Sequence, residues 1–177
     1  FKHGIQVFNL QTTNRPVVSG GSISGAEIGL YVGSRGPGYE GTVKDILFED
    51  VDVTASQIGL KVEDKNDTGN AADVAKASLS GVTFHGGTKS VLVTGPDASV
   101  VLGDSAFDNP SSQYIVVENG STGDIDATQV SFDGKKSSDL TLSELFSLED
   151  KITHKLDNLT LGFVRVKSNE VFVTADS

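Results

Sequence analysis

Apolar residues fall at every second position in Val51-Asp-Val-Thr54 and in Ile58-Gly-Leu-Lys-Val62, the period of a strand with one buried face. Asp52, Thr54 and Lys61 take the alternate positions and are expected to face water. The pattern belongs to two phrases that recur. The first reads Gly4-Ile-Gln-Val7, Ile28-Gly-Leu-Tyr-Val32, Ile58-Gly-Leu-Lys-Val62, Ser90-Val-Leu-Val93 and Tyr114-Ile-Val-Val117. The second reads Gly21-Ser-Ile-Ser24, Val51-Asp-Val-Thr54, Gly81-Val-Thr-Phe84, Asp104-Ser-Ala-Phe107 and Gln129-Val-Ser-Phe132. They alternate in strict order.

Taking Ile23, Val53, Phe84, Phe107 and Phe132 as equivalent gives spacings of 30, 31, 23 and 25 residues. Strand signals at this period, with no helix between them, predict coils that stack because none can bury its apolar side alone. A β-sandwich also shows short alternating strands, but it gives no reason for two phrases in fixed order. In stacked coils, equivalent inward residues form ladders about 4.8 Å apart. Phe84, Phe107 and Phe132 are expected in one, and Leu30, Leu60, Val93 and Val117 in another. The longer repeats carry turn-rich insertions at residues 32–42 and 63–76, expected as loops outside the coil.

Beyond residue 138 the pattern changes. Thr141 and Glu144 form a capping-box signature, and Leu145, Leu148, Ile152 and Leu156 then share a helical face. This predicts a helix over about 141–156, or one broken near Ser147, followed by two strands at 161–166 and 171–173 joined by a turn. Residues 1–138 are therefore expected to be coils and 139–177 a small α/β cap that covers their open end.

Net charge is −10, from 14 basic and 24 acidic residues, which argues against nucleic acid and anionic membrane surfaces. The absence of cysteine removes disulfides, thiolate metal sites and cysteine nucleophiles. No apolar run approaches the ~20 residues of a membrane span, and no N-terminal segment has the form of a signal peptide. The chain lacks Met and opens within a strand-like phrase at Phe1, which reads as a piece of a larger protein.

Through its Gly/Asp-x-x-Phe and Ile-Gly-Leu-x-Val phrases, residues 4–134 resemble the pectate-lyase-like superfamily of right-handed β-helices. The resemblance implies a secreted or surface protein that binds or cleaves acidic polysaccharides. Lyases, uronate epimerases, polygalacturonases, phage tailspikes and large bacterial surface proteins all belong there. The expected fold is thus all-β: a right-handed parallel β-helix (solenoid) with a small α/β C-terminal cap.

Family catalysis needs a base and carboxylates on the outer face. The position after the aromatic ladder carries His85, Asp108 and Asp133, so a His–carboxylate couple acting as general acid and base is one reading and solvated turn residues the other. Asp64, Asn66 and Thr68 sit at alternate positions before Gly69, as at the start of a calcium loop, but Ala75 stands where the closing Glu is needed. A plain polar loop is the competing reading. His154 is placed near the end of the cap helix, where the helix dipole explains it. The three arginines, Arg15, Arg35 and Arg165, do not cluster in the repeat alignment, so no cationic cradle for a uronate is expected. Three sequons occur, at Asn66, Asn119 and Asn158.

These readings favour a non-catalytic structural or adhesive module of a secreted or cell-surface protein. Its expected partners are a polysaccharide or surface glycan and an upstream β-helix domain of the same protein. The alternatives are the C-terminal part of a polysaccharide lyase, epimerase or glycoside hydrolase, and a phage tailspike fragment.

Overall fold

The computed structural model describes residues 1–8, 10, 14–34, 42–65 and 74–168. Strands dominate them, and the fold that these residues make is all-β with one short α-helix. In chain order the strands are β1 (His3–Phe8), β2 (Val17–Ser19), β3 (Ser22–Gly33), β4 (Leu47–Glu49), β5 (Asp52–Glu63), β6 (Ala75–Ser80), β7 (Thr83–His85) and β8 (Lys89–Thr94). They continue as β9 (Ala98–Val101), β10 (Ala106–Phe107), β11 (Gln113–Glu118), β12 (Ile125–Asp126), β13 (Ser131–Phe132) and β14 (Lys135–Lys136). Helix α1 (Leu142–Glu149) precedes β15 (Ile152–Thr153) and β16 (Val164–Arg165).

Equivalent phrases of successive repeats pair in parallel. The second phrase aligns Ile23 with Val53, Val53 with Phe84, Phe84 with Phe107 and Phe107 with Phe132. A further parallel sheet runs β2–β4–β6–β9 and supplies another wall. The apolar ladders converge on one core in which Leu30, Phe48, Val53, Leu60, Phe107 and Ile115 are fully buried. Burial of this area drives folding at roughly 25 cal/mol per Å².

The aromatic ladder stands where the alternation puts it, with Phe84–Phe107 and Phe107–Phe132 ring centroids 5.6 and 5.5 Å apart. The aliphatic ladder is shifted by two residues. Leu60 pairs with Val91, and Val93 joins Val32 and Val62 instead. The phrase Ser90-Val-Leu-Val93 matches Gly59-Leu-Lys-Val62 and begins one position later than it looks. Leu30, Leu60, Val91, Ile115 and Ile152 form the ladder, and Val117 belongs with Val93.

Glycine recurs in the first phrase because a ladder residue fills the space beside it. A Cβ at Gly4 would meet Ile23, one at Gly29 would meet Val53, and one at Gly59 would meet Phe84. The corner that follows β2, β4 and β6 is turned in the left-handed region, by Gly20 at φ 74°, Asp50 at 52° and Gly81 at 60°. Short polar or glycine residues tolerate that region best.

The C-terminal segment departs from expectation. Thr141 does close a capping box with Glu144, and the helix stops at Glu149, close to the break expected near Ser147 and short of Leu156. Ile152–Thr153 leave it to pair in parallel with Ile115–Val116 of β11, so tertiary pairing overrides the helical periodicity. Val164–Arg165 pair in parallel with Ile125–Asp126. The expected strand at 171–173 lies outside the described residues. Leu145 and Leu148 of α1 pack into the core at this end. At the opposite end Ile5, Val7, Val18 and Ile23 are only partly buried, although their partners Leu30, Val32, Phe48 and Val53 are fully buried.

Candidate functional site

His85, Asp108 and Asp133 occupy successive levels of one column. His85 pairs with Thr54, Asp108 N–H donates to Phe84 O at 3.0 Å, and Asp133 N–H donates to Phe107 O at 2.9 Å. Their side chains part company. His85 Nε2 lies 4.0 Å from Asp52 Oδ1, a same-face diagonal neighbour, with the imidazole partly and the carboxylate largely exposed. Asp108 is exposed. Among the described residues no hydrogen bond or ion pair joins His85 to Asp108, so the geometry of a general acid–base couple is not assembled.

Asp133 belongs to a different cluster, built at the C-terminal end of the stack. Tyr114 follows Gly4, Gly29, Gly59 and Ser90 in the same column of the sheet. Its ring fills the space that glycine leaves to a ladder side chain at earlier levels. It stacks on Phe107 at 5.9 Å and 14° and packs against Phe132 at 5.3 Å. The hydroxyl donates to Asp133 Oδ2 at 2.5 Å and accepts from Lys151 Nζ at 3.3 Å. That ammonium also lies 4.8 Å from the Tyr114 ring centroid, within cation–π range. Lys135 pairs with Glu144, whose other oxygen accepts from the Thr141 backbone and hydroxyl.

Together with Leu140 and Leu148 these groups line a cleft of about 200 Å³. Burial, the bond to Asp133 and the charges of Asp133 and Asp108 push the Tyr114 phenol far above its ordinary value. The phenol is therefore held neutral as a hydrogen-bond donor and cannot serve as a base near neutrality. Lys135, aided by the Thr141 bonds, holds the Glu144 carboxyl down at about 2. Both acidic groups here are already engaged by neighbours of their own chain. The arrangement suits cohesion and contact better than proton transfer.

The cluster was not expected from the motifs. Its one sequence signal is the change from Gly to Ser to Tyr down a repeat column, since its partners Asp133, Lys135, Glu144 and Lys151 come from segments with no shared phrase.

Asp64 is 5% exposed. Its Oδ1 accepts from Ser34 Oγ at 2.6 Å and its Oδ2 from Asp97 N–H at 3.1 Å, so the carboxylate ties three repeats together. Asn66 and Thr68, the other candidate calcium ligands, lie outside the described residues. Among the described residues no group of three or more His, Asp or Glu side chains converges as a metal site.

His154 lies beyond α1 instead of within it. Its ring is 3% exposed and stacks on Phe163 at 5.1 Å. Nδ1 accepts from Val164 N–H at 2.9 Å, which fixes the tautomer with its proton on Nε2. Nε2 has no hydrogen-bond partner and faces Glu149 Oε1 at 3.5 Å. The imidazole thus latches β16 against the end of α1, a structural duty unrelated to the helix dipole.

No protein-family model, curated protein or solved structure matches this chain.

Proposed function

We propose that the chain is a non-catalytic structural and adhesive module of a secreted or cell-surface protein, built as a right-handed parallel β-helix of the pectate-lyase-like kind. The observation that carries this reading is the parallel, in-register pairing of equivalent phrases through successive repeats. Such stacking makes a rigid rod whose outer faces present side chains at strand spacing, a geometry suited to contact along an extended glycan. The dispersal of His85 and Asp108, and the neutral phenol of Tyr114, support contact over catalysis.

The two ends differ in a way that supports a neighbour on one side. Helix α1 and β15 cover the C-terminal end, and β14 pairs antiparallel with β13. At the other end Ile5, Val7, Val18 and Ile23 remain partly exposed, and one more coil of the same repeat chemistry covers them in this proposal.

The test is turnover. The chain is incubated with a panel of polyuronates and neutral polysaccharides while unsaturated uronides and new reducing ends are followed. No product is the expected result. Product formation that is lost on His85→Ala or Asp108→Ala overturns the reading in favour of a lyase or hydrolase.

A further inference from the structure

Val164 sits at the edge of the stack. The N–H groups of Ile125 and Ala127 donate to the carbonyls of Phe163 and Arg165, each at 2.8 Å, so those two residues face β12. Val164 stands between them in the parallel pair and turns its own backbone groups the other way. An edge of this kind ordinarily presents bare N–H and C=O groups to which another strand can add. Here the His154 ring covers it, with Nδ1 accepting from Val164 N–H at 2.9 Å and the ring plane 28° from that of Phe163.

The His154 main chain is pinned. Its N–H donates to Asp157 Oδ2 at 2.8 Å, and its carbonyl accepts from the N–H groups of Asp157 and Asn158 at 3.0 and 3.1 Å. The ring alone is left to respond to its surroundings. From the end of α1, Glu149 Oε1 lies 3.5 Å from Nε2, which has no hydrogen-bond partner. The other charged groups of the neighbouring elements are turned elsewhere. Asp157 holds the His154 N–H, Asp124 accepts from Phe163 N–H at 2.9 Å, and Asp126 accepts from Thr128 N–H at 2.9 Å. Lys151 reaches Tyr114, while Asp150, Lys155 and Arg165 are exposed. Among the described residues Glu149 is thus the one charge within ion-pair range of the ring.

We infer that His154 is a pH-dependent guard of the β16 edge: the neutral ring covers it, and the protonated ring leaves it for Glu149. The direction follows from valence. A neutral imidazole has one nitrogen acceptor and an imidazolium has none, so whichever way the charged ring turns it cannot accept from Val164 N–H. Its added N–H would confront that donor head-on. The positive charge meanwhile draws the ring toward Glu149. Both effects lift it from β16. Acid thereby gives the C-terminal end the bare donor that an added strand requires, and neutrality keeps that end closed. The inference does not rest on the glycan-contact reading.

Amide exchange of the isotope-labelled chain tests it, followed by NMR from pH ~8 to ~5, the range in which imidazole changes its charge. Protection factors remove the intrinsic pH dependence of exchange. Val164 protection should fall roughly tenfold, the order of one lost hydrogen bond, in step with the His154 ring signals, while Val53 and Leu60 keep theirs. His154→Asn supplies an amide oxygen that accepts but takes no proton, and should hold Val164 protected throughout. Should that variant fail to fold, Glu149→Gln leaves the ring and Val164 in place and should move both the ring signals and the loss at Val164 to lower pH. Val164 protection that does not follow the ring, or a His154 ring still neutral at pH ~5, overturns the guard. So does a parallel loss at Val53 and Leu60, which is acid unfolding of the whole stack.

Discussion

Gly59 lies directly against the Phe84 ring: a Cβ added at Gly59 would stand 2.5 Å from Phe84 Cδ1 and 2.6 Å from the Ser90 carbonyl oxygen. The first neighbour can turn aside, but the second is backbone of the adjacent strand. Gly59→Ala is therefore expected to destabilise the chain by about 1–3 kcal/mol, the usual cost of overpacking a filled core. Chemical denaturation measures it. Adding Phe84→Leu should recover only part of the loss, because the clash with the Ser90 carbonyl remains. Full recovery would show that the ring alone demands glycine here.

The phenols of Tyr31 and Tyr114 are both raised above 10, by burial first and then by Glu63 and Asp133 respectively. A folded-state value above the unfolded one means that the folded chain favours the neutral phenol. The resulting stability is complete below pH ~10, the unfolded tyrosine value, and is lost as pH rises above it. Denaturation midpoints are expected to fall steeply on the alkaline side, and Tyr114→Phe should flatten that fall while weakening the chain near neutrality. A Tyr114→Phe profile parallel to that of the parent chain would count against the Tyr114–Asp133 bond.

Removing the His154 acceptor should loosen the C-terminal cover. His154→Phe keeps an aromatic ring beside Phe163 but leaves Val164 N–H without its partner at 2.9 Å, a buried donor whose loss costs about 1–3 kcal/mol. Hydrogen exchange at Val164 and Ile125 is the direct readout. Faster exchange there, with the exchange of Val53 and Leu60 unchanged, is expected. Uniform acceleration would mean that the latch is not local.

How far the sequence reaches depends on which physical quantity is asked for. Alternation and repeat order were enough to pair Ile23, Val53, Phe84, Phe107 and Phe132 correctly, because a one-residue slip would turn every side chain to the wrong face. The Leu60–Val91 pairing was missed because an even shift preserves the facing and leaves no signature. The sequence left the end of α1 open between a break near Ser147 and a run to Leu156, because Ile152 satisfies both a helical face and a strand partner, and only the neighbouring β11 decides between them. For the candidate site, the repeats foretold the backbone column of His85, Asp108 and Asp133 but not side-chain direction. Asp133 turns to Tyr114 at 2.5 Å and His85 toward Asp52.

The central claim is that successive repeats lie parallel and in register, and paired cysteines test it most directly because the chain has none of its own. Thr54 and His85 are register partners on an exposed column, at a separation a disulfide spans readily. Thr54→Cys/His85→Cys should cross-link rapidly and almost completely under mild oxidation, with native stability retained. Thr54→Cys/Asp108→Cys, two levels apart, should remain reduced. Equal cross-linking of both pairs, or failure of the first in a folded chain, would contradict the stacked register.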